Sequence, residues 1–398
     1  MISAHQYQQE SNNGKIVWCH TAKIDAIPPE STLSTDIYSD RTSFGLSGLE
    51  FYRSAYLRWG EASTTAAYLS WDRSQCAGHF ERVVCGSRLF FVSRPKREDN
   101  TQFLYDPAII STHESNDIVS QHWDIEAVIV PAGSDIYIRP FTPYASVSLE
   151  SSVSHGAYFI PCAMIERVIV GLYQSWANTG EQYSYHVGIE HASRAILFTW
   201  RDKFVSDTID QNEHIPDLET PEGVRQLFCL CGYRELVNIC SQDSYESDDF
   251  SQGLSIHDRR GFIHGRQVSR GLLRWFFGNF ALEGSQDSLK EVYFKYLAAV
   301  VKCMLGQQRK YGTGGITSER MEEFVSLTFG GSPEFMEPYQ SNEVTPSYGG
   351  QLDGTIVRLP ASDRLTNWHE THDDGATAED RIWVAAQMKA MREKNDGV

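Results

Sequence analysis

The sequence predicts an α+β fold in which a β-rich half is followed by a helical half. Between residues 46 and about 160, short runs of β-branched and aromatic residues are separated by glycine and proline turns. Beyond about residue 161, apolar residues recur at the three- and four-residue spacing of amphipathic helices. We therefore expect a loosely ordered arm over 1–45, a β-barrel over 46–165 and a mostly helical region over 166–398.

The strands of the β half are predicted from short apolar runs bounded by turns. Val83-Val84-Cys85 turns at Gly86, and the next run ends at Pro95. A further run ends in the turn Pro131-Ala-Gly-Ser-Asp135, after which the chain continues as Ile136-Tyr-Ile138. The last two runs are 145–149, which alternates as a half-buried strand does, and 158–160.

The helices of the second half are predicted from apolar periodicity. Residues 164–176, 227–236 and 289–305 each place apolar side chains along one face of a helix. The aromatic run Trp275-Phe-Phe277 with Phe280 is expected to pack between helices. Residues 337–376, rich in proline, glycine and aspartate, are expected to form a connector.

Composition and charge restrict the class of partner. The 398 residues carry a formal net charge of −17, which suits a basic protein partner such as a histone tail and offers no basic patch for nucleic acid. No apolar run is long enough for a membrane span, and the N-terminus lacks the features of a signal peptide. Eight thinly spread cysteines are typical of reduced thiols, so we expect an intracellular protein of the nucleus or cytoplasm.

Three ordered stretches resemble the JmjC family in the form common among fungal JmjC-domain proteins. Residues 86–95 resemble its "G-x-K-x-W" strand, and residues 123–140 resemble its "pGd-L-y-xP" hairpin. Residues 142–159, with Thr142-Pro-Tyr144 and His155-Gly156, resemble "TPHxVxT…HGGHFY". The resemblance implies a double-stranded β-helix, the jelly roll of the cupin superfamily, with a helical C-terminal region.

The same resemblance implies an Fe(II)- and 2-oxoglutarate-dependent dioxygenase that hydroxylates or demethylates protein side chains. Two histidines and a carboxylate would hold the metal. At the matching positions this chain has Ser70, Asp72 and Tyr144, so only the carboxylate survives. Arg88 replaces the lysine that would bind the 2-oxoglutarate carboxylate and keeps its positive charge.

Other residues offer alternative metal ligands. His79 and His155 could join Asp72 in a compensated site. His122-Trp-Asp124 is literally H-x-D, and it would need a later histidine as its third ligand.

These observations leave three hypotheses open. The first is an impaired or inactive JmjC-like domain used for protein binding or scaffolding, which retains neither Fe(II) nor 2-oxoglutarate. The second is an active protein hydroxylase or histone demethylase with a non-standard metal site. The third is a structural adaptor that acts through its helical half.

Overall fold

The fold is seen in a computed structural model of the chain. It describes these residues: 18–21, 58–72, 77–95, 123–161, 164–179, 184–206, 215–241, 256–311, 318–346, 352–364 and 381. The chain divides into two compact units, Met1–Ser175 with Tyr183–Ala195, and Trp176–Gln182 with Ile196–Val398. None of the helices in the described ranges has the length and apolar character needed to cross a membrane.

The first unit contains two antiparallel sheets. Their strands are β1 (Trp18–Thr21), β2 (Arg58–Ser63), β3 (Tyr68–Asp72), β4 (Gly78–Cys85), β5 (Ser87–Pro95), β6 (Trp123–Pro131), β7 (Asp135–Ile138), β8 (Tyr144–Ser148) and β9 (Ser152–Phe159). The five-stranded sheet has the order β1-β2-β9-β4-β7, and the four-stranded sheet has the order β3-β8-β5-β6. The mixed α and β content with antiparallel sheets, and the predicted strands after residue 83, are confirmed.

Short connections repeatedly carry the chain from one sheet to the other. The steps β2 to β3, β4 to β5, β6 to β7 and β8 to β9 each change sheet. Two of these steps use a glycine with positive φ: Gly86 at +76° and Gly133 at +81°. A side chain at Gly86 would also meet the backbone, because its Cβ would lie 2.4 Å from the Ser151 carbonyl oxygen. Glycine is therefore required at Gly86 for both conformation and space.

Side chains from both sheets meet in the interior between them. Along β4, His79, Glu81 and Val83 share the face that meets this interior, and on the opposite face Phe80 is also buried while Arg82 is half-buried. The apolar part of this interior is a cluster of five buried side chains from both sheets: Val83, Phe90, Val130, Ile138 and Tyr144. Polar and charged side chains fill the rest.

The second unit is built mainly from helices. The α-helices among the described residues of both units are α1 (Ile165–Thr179), α2 (Ser184–Ser206), α3 (Pro221–Leu236), α4 (Ile256–Phe277), α5 (Leu289–Tyr311), α6 (Ser318–Phe329) and α7 (Pro333–Gln340), and the first two run from the first unit into the second. Helix α3 begins at an N-cap, where the Gly223 N–H donates to the Thr220 hydroxyl at 3.1 Å and Pro221 occupies the first turn.

Aromatic packing joins α3, α4 and α5 within this unit. The ring centroid of Phe228 on α3 lies 5.9 Å from that of Phe276 on α4 and 5.1 Å from that of Tyr293 on α5. The prediction that the aromatic run Trp275-Phe-Phe277 packs between helices is confirmed. Cys231 is buried on α3, and desolvation raises the pKa of its thiol to about 12, so it stays protonated near neutral pH.

Strands β2 and β3 lie in the predicted β-rich half, where no individual run was assigned before residue 83, and two further features of the fold were not predicted. Strand β1 lies within the segment expected to be a loosely ordered arm, and it pairs with β2. Strand β10 (Phe280–Glu283) pairs with β11 (Thr355–Arg358), which lies inside the expected connector 337–376. Each of these strands has only four residues, too few for a periodic pattern to stand out.

Gly86 and Gly133 provide a matched pair of variants. Gly133→Ala meets no atom within 4 Å, so it should cost about 1 kcal/mol, the conformational penalty of positive φ. Gly86→Ala adds a backbone clash to the same penalty and should cost at least ~1 kcal/mol more. Urea unfolding midpoints, with hydrogen exchange of β4 and β5 to localise the effect, would measure both. Equal losses would show that the sheet crossing at Gly86 is not sterically constrained.

Candidate functional site

The polar interior of the first unit centres on the guanidinium of Arg88. Arg88 projects from β5 and is only 2% exposed. Its Nη1 lies 2.6 Å from Oε1 of Glu61 on β2 and 2.6 Å from Oε1 of Glu81 on β4. Its Nη2 donates to the Ser146 hydroxyl at 2.6 Å, and Nη1 reaches the Ser154 hydroxyl at 3.3 Å. One buried cation therefore holds two buried carboxylates from the opposite sheet.

A chain of hydrogen bonds continues from this ion pair to the apolar cluster. His79 Nε2 lies 3.2 Å from Glu81 Oε2, and His79 Nδ1 lies 3.2 Å from the Tyr144 hydroxyl. The His79 and Tyr144 rings are 4.9 Å apart, and the Tyr144 ring lies 6.2 Å from that of Phe90. Both nitrogens of His79 are thus engaged by protein groups. The chain links a phenol, an imidazole and a carboxylate without exposing any of them.

The surroundings of Glu81 keep it ionised. Burial by itself would raise the pKa of this carboxyl, but the hydrogen bond from His79 and the charge of Arg88 outweigh burial. The pKa of Glu81 is therefore lowered from its ordinary value of 4.5. An ionised Glu81 balances the charge of Arg88.

Serine hydroxyls complete the polar interior next to these charges. Ser63 lies 2.6 Å from Ser148 and 2.9 Å from Ser152, which joins β2, β8 and β9 across the two sheets. All three are at most 2% exposed. Buried hydroxyls placed within hydrogen-bonding distance of one another avoid the cost of desolvation without a partner.

The residues predicted at the family's metal positions fall on two neighbouring strands. Ser70 and Asp72 belong to β3, and Tyr144 begins β8. The register places Asp72 directly opposite Tyr144, after an irregularity in pairing between Leu69 and Asp72. The side chains of Ser70 and Asp72 lie outside the described residues. Tyr144 is 2% exposed and belongs to the apolar cluster.

The structure does not bring the two alternative histidines together. His155 pairs with Arg82 across β9 and β4, whereas His79 lies on the same face of β4 as Glu81. Because side chains alternate along a strand, His79 and His155 lie on opposite faces of the five-stranded sheet, and the His155 ring lies 6.3 Å from that of the buried Phe80. Burial and the nearby charge of Arg82 lower the pKa of His155 below its ordinary value. A compensated metal site needs both histidines together with Asp72, but His79 and His155 lie on opposite faces of the five-stranded sheet.

The second alternative pair is only half described. Asp124 lies on β6, where its carboxylate is 45% exposed and 3.6 Å from the Arg94 guanidinium. His122 lies outside the described residues. A metal site formed by His122 and Asp124 stays a prediction.

The described residues around Arg88 do not fit Fe(II) and 2-oxoglutarate. Arg88 is already neutralised by two carboxylates, and both ring nitrogens of His79 have partners. Among the described ranges, no group of three or more histidine, cysteine, aspartate or glutamate side chains is arranged to hold a metal ion. The predicted cosubstrate role of Arg88 stays a prediction, and the geometry found here does not favour it.

Glu61 and Glu81 are the residues of this site that the sequence analysis missed. Each is an acid within a strand, and such acids are usually solvent-exposed. Glu81 and Arg88 lie on two strands joined at Gly86, and an oppositely charged pair flanking a predicted turn was the available signal. The partnership with Glu61 depends on the packing of two different sheets against each other, which the sequence does not reveal.

Comparisons with known proteins add little to this geometry. No family model matches the sequence, and no curated protein matches it. Among solved structures the chain is similar to KdgF from Halomonas sp., with 12% identity and a TM-score of 0.16. That likeness covers 26% of this chain and 68% of the KdgF chain.

Replacing Arg88 should expose the energetic importance of the buried ion pairs. Arg88→Met keeps much of the side-chain volume but leaves Glu61 and Glu81 buried without their cation, at a cost of about 3–5 kcal/mol. Arg82→Met is the matched control, because the Arg82–Asp135 pair is 40% and 23% exposed and should contribute less than about 1 kcal/mol. Urea unfolding compares the two variants, and similar losses would contradict the assignment.

The lowered pKa of Glu81 predicts a specific acid sensitivity. Its contribution to stability is complete above the unfolded-state pKa, near the ordinary 4.5, and is lost as the pH falls through the lower folded-state value. The free energy of unfolding should therefore decrease with falling pH below about 4.5. This decrease should be shallower in Glu81→Gln. Urea midpoints measured from about pH 6 to pH 3 test this, and identical slopes would exclude Glu81 as the source.

Proposed function

We propose that the first unit is a cupin-like double-stranded β-helix, related in sequence pattern to JmjC domains, that binds or scaffolds proteins and does not catalyse oxygenation. The repeated change of sheet at β4–β5, β6–β7 and β8–β9 supports this topology. The observation that carries the functional proposal is the pairing of Arg88 with Glu61 and Glu81. Arg88, the residue at the cosubstrate position, is already paired with carboxylates of the protein itself.

The surroundings of Tyr144 also support a non-catalytic interior. A phenol binds metal only when ionised, and its ordinary pKa of about 10 makes this rare near neutral pH. Tyr144 packs in the apolar cluster and hydrogen-bonds to His79, so it serves the packing of the two sheets. A binding role needs only the outer surface of such a domain.

The surface of the four-stranded sheet supports protein binding. Tyr68, Ile125 and Ile129 are 58%, 44% and 62% exposed on strands of this sheet. Large apolar side chains grouped on one exposed face are typical of protein interaction sites. The net charge of −17 further favours partners that carry basic segments, such as a histone tail.

Metal and cosubstrate binding test this proposal directly. Calorimetric titration of the full chain with Mn(II), which stands in for Fe(II), followed by 2-oxoglutarate should give no saturable binding up to about 1 mM, a range in which a specific site would be detected. Incubation with Fe(II), ascorbate and 2-oxoglutarate should yield no succinate.

Two variants decide which site is responsible if binding is found. Micromolar binding of Mn(II) that is lost in Asp72→Ala would contradict the proposal and would indicate that the metal position implied by the JmjC resemblance is functional. Binding that is lost in Asp124→Ala but kept in Asp72→Ala would contradict it in favour of the pair His122 and Asp124.

A further inference from the structure

Strand β6 is a long, regular edge of the four-stranded sheet. Within the described residues it pairs only with β5, and its register runs without a bulge from Pro131 opposite Ser87 to Trp123 opposite Pro95. Five consecutive residues of β6, 125–129, are exposed. Exposure of successive residues shows that both faces of this part of β6 are open. Internal proline and bulges, which commonly protect an edge from pairing, are missing from β6, and its two charged residues, Asp124 and Glu126, each lie 3.6 Å from the Arg94 guanidinium of the same chain.

The backbone groups that point to the open edge follow from the pairing of β5. Ser93 N–H donates to the Pro143 carbonyl and the Ser87 carbonyl accepts from Leu149 N–H, so the odd-numbered residues of β5 hydrogen-bond toward β8. The even-numbered residues of β5 therefore hydrogen-bond toward β6 and engage the even-numbered residues opposite them. On β6, the N–H and C=O groups of Ile125, Ala127 and Ile129 consequently point away from β5.

The same three residues belong to the apolar outer face of the sheet. Ile129 aligns with Leu89 on β5, which aligns with Val147 on β8, which aligns with Tyr68 on β3. These four side chains form one row across all four strands. The outer-facing side chains of β6 and its outward backbone groups thus come from the same residues.

We infer that β6 pairs with β6 of a second copy of this chain, antiparallel and about a two-fold axis at Ala127. This inference rests on the proposed role as a protein-binding domain and adds a second copy of the chain to the basic partners that its net charge favours. Ile125 would lie opposite Ile129 of the second copy, and Ala127 opposite Ala127. All of these are residues with outward backbone groups, so each pair can exchange two hydrogen bonds. Two four-stranded sheets then join into one sheet of eight strands.

Full overlap of the two strands, with no carboxylate directly opposite another, favours this register. Around Ala127, Glu126 lies opposite Val128 and Asp124 lies opposite Val130, so no carboxylate lies directly opposite another, and the two Glu126 side chains are diagonal neighbours across the axis. A register centred on Ile125 would place Asp124 opposite Glu126 and would shorten the overlap. The register at Ala127 pairs all nine residues of β6 and continues the apolar row on the same face of both copies.

The overall charge predicts how association depends on salt. Two copies with a net charge of −17 each repel one another, and salt screens this repulsion over about 10 Å at 0.1 M. The dimer should therefore strengthen as salt is raised toward about 0.5 M, since its contacts are apolar and backbone contacts.

Sedimentation velocity of the full chain at 10–100 µM, roughly the range of a modest apolar interface, tests the inference. We expect twice the monomer mass. Ala127→Pro removes only an outward N–H, which an edge strand tolerates, and Ile129→Lys places a charge in the apolar pair, so both should give monomers. Val153→Lys is the matched control, because Val153 is 43% exposed on β9, in the other sheet, and it should stay dimeric.

Cross-linking tests the register without relying on loss of association. Opposed residues of a hydrogen-bonded pair have Cα atoms about 5.5 Å apart, within reach of a disulfide. On oxidation, the Ala127→Cys variant should therefore form a disulfide that joins the introduced thiols of the two copies, identified by peptide mapping. The Val153→Cys variant should form no such link between its introduced thiols.

Two results would overturn the inference. One is a monomer at all concentrations and salt levels, and the other is a dimer that survives both β6 variants and gives no disulfide in Ala127→Cys. Neither result bears on metal or 2-oxoglutarate binding. The proposed lack of catalysis is tested separately, by the titrations with Mn(II) and 2-oxoglutarate.

Discussion

The interior of the first unit depends on the shared neutralisation of Arg88 by Glu61 and Glu81. Each of these three side chains is almost fully buried, and each comes from a different strand. A charge moved from water into a protein interior costs several kcal/mol unless an opposite charge and hydrogen bonds compensate for it. The two sheets must therefore keep the spacing that brings Arg88 from one sheet to both carboxylates of the other.

This constraint also explains the residues that surround the ion pairs. Ser146 and Ser154 lie within hydrogen-bonding distance of the Arg88 guanidinium, and His79 lies between Glu81 and Tyr144. The polar chain ends at the phenol of Tyr144, whose ring belongs to the apolar cluster. The interior is therefore continuous from a fully charged end to an apolar end, with side chains of the protein at each step.

Much of the fold could be predicted from the sequence because the strands and helices carry strong local patterns. The strand after Gly86, the turn at Gly133 and the helix over 289–305 each appear where periodicity and turn chemistry place them. Strands β1, β10 and β11 were missed because four residues are too few for a pattern and their pairing is decided by distant partners.

The candidate site was predictable only in part. Tyr144 and Arg88 were identified from the family resemblance, and the structure shows both to be buried. Their actual partners could not be predicted, because the contact of Arg88 with Glu61 joins positions 27 residues apart on different sheets. The opposite orientation of His79 and His155 likewise depends on strand register, which spacing along the chain does not fix.

The most direct measurement of the central claim is a double-mutant cycle between Arg88 and Glu81. The free energy of unfolding would be measured for Arg88→Met, Glu81→Gln and the double variant. Direct ion pairing predicts a coupling energy of about 2 kcal/mol or more, within the range observed for buried contacting groups. Additive losses, with a coupling within about 0.5 kcal/mol of zero, would contradict the account.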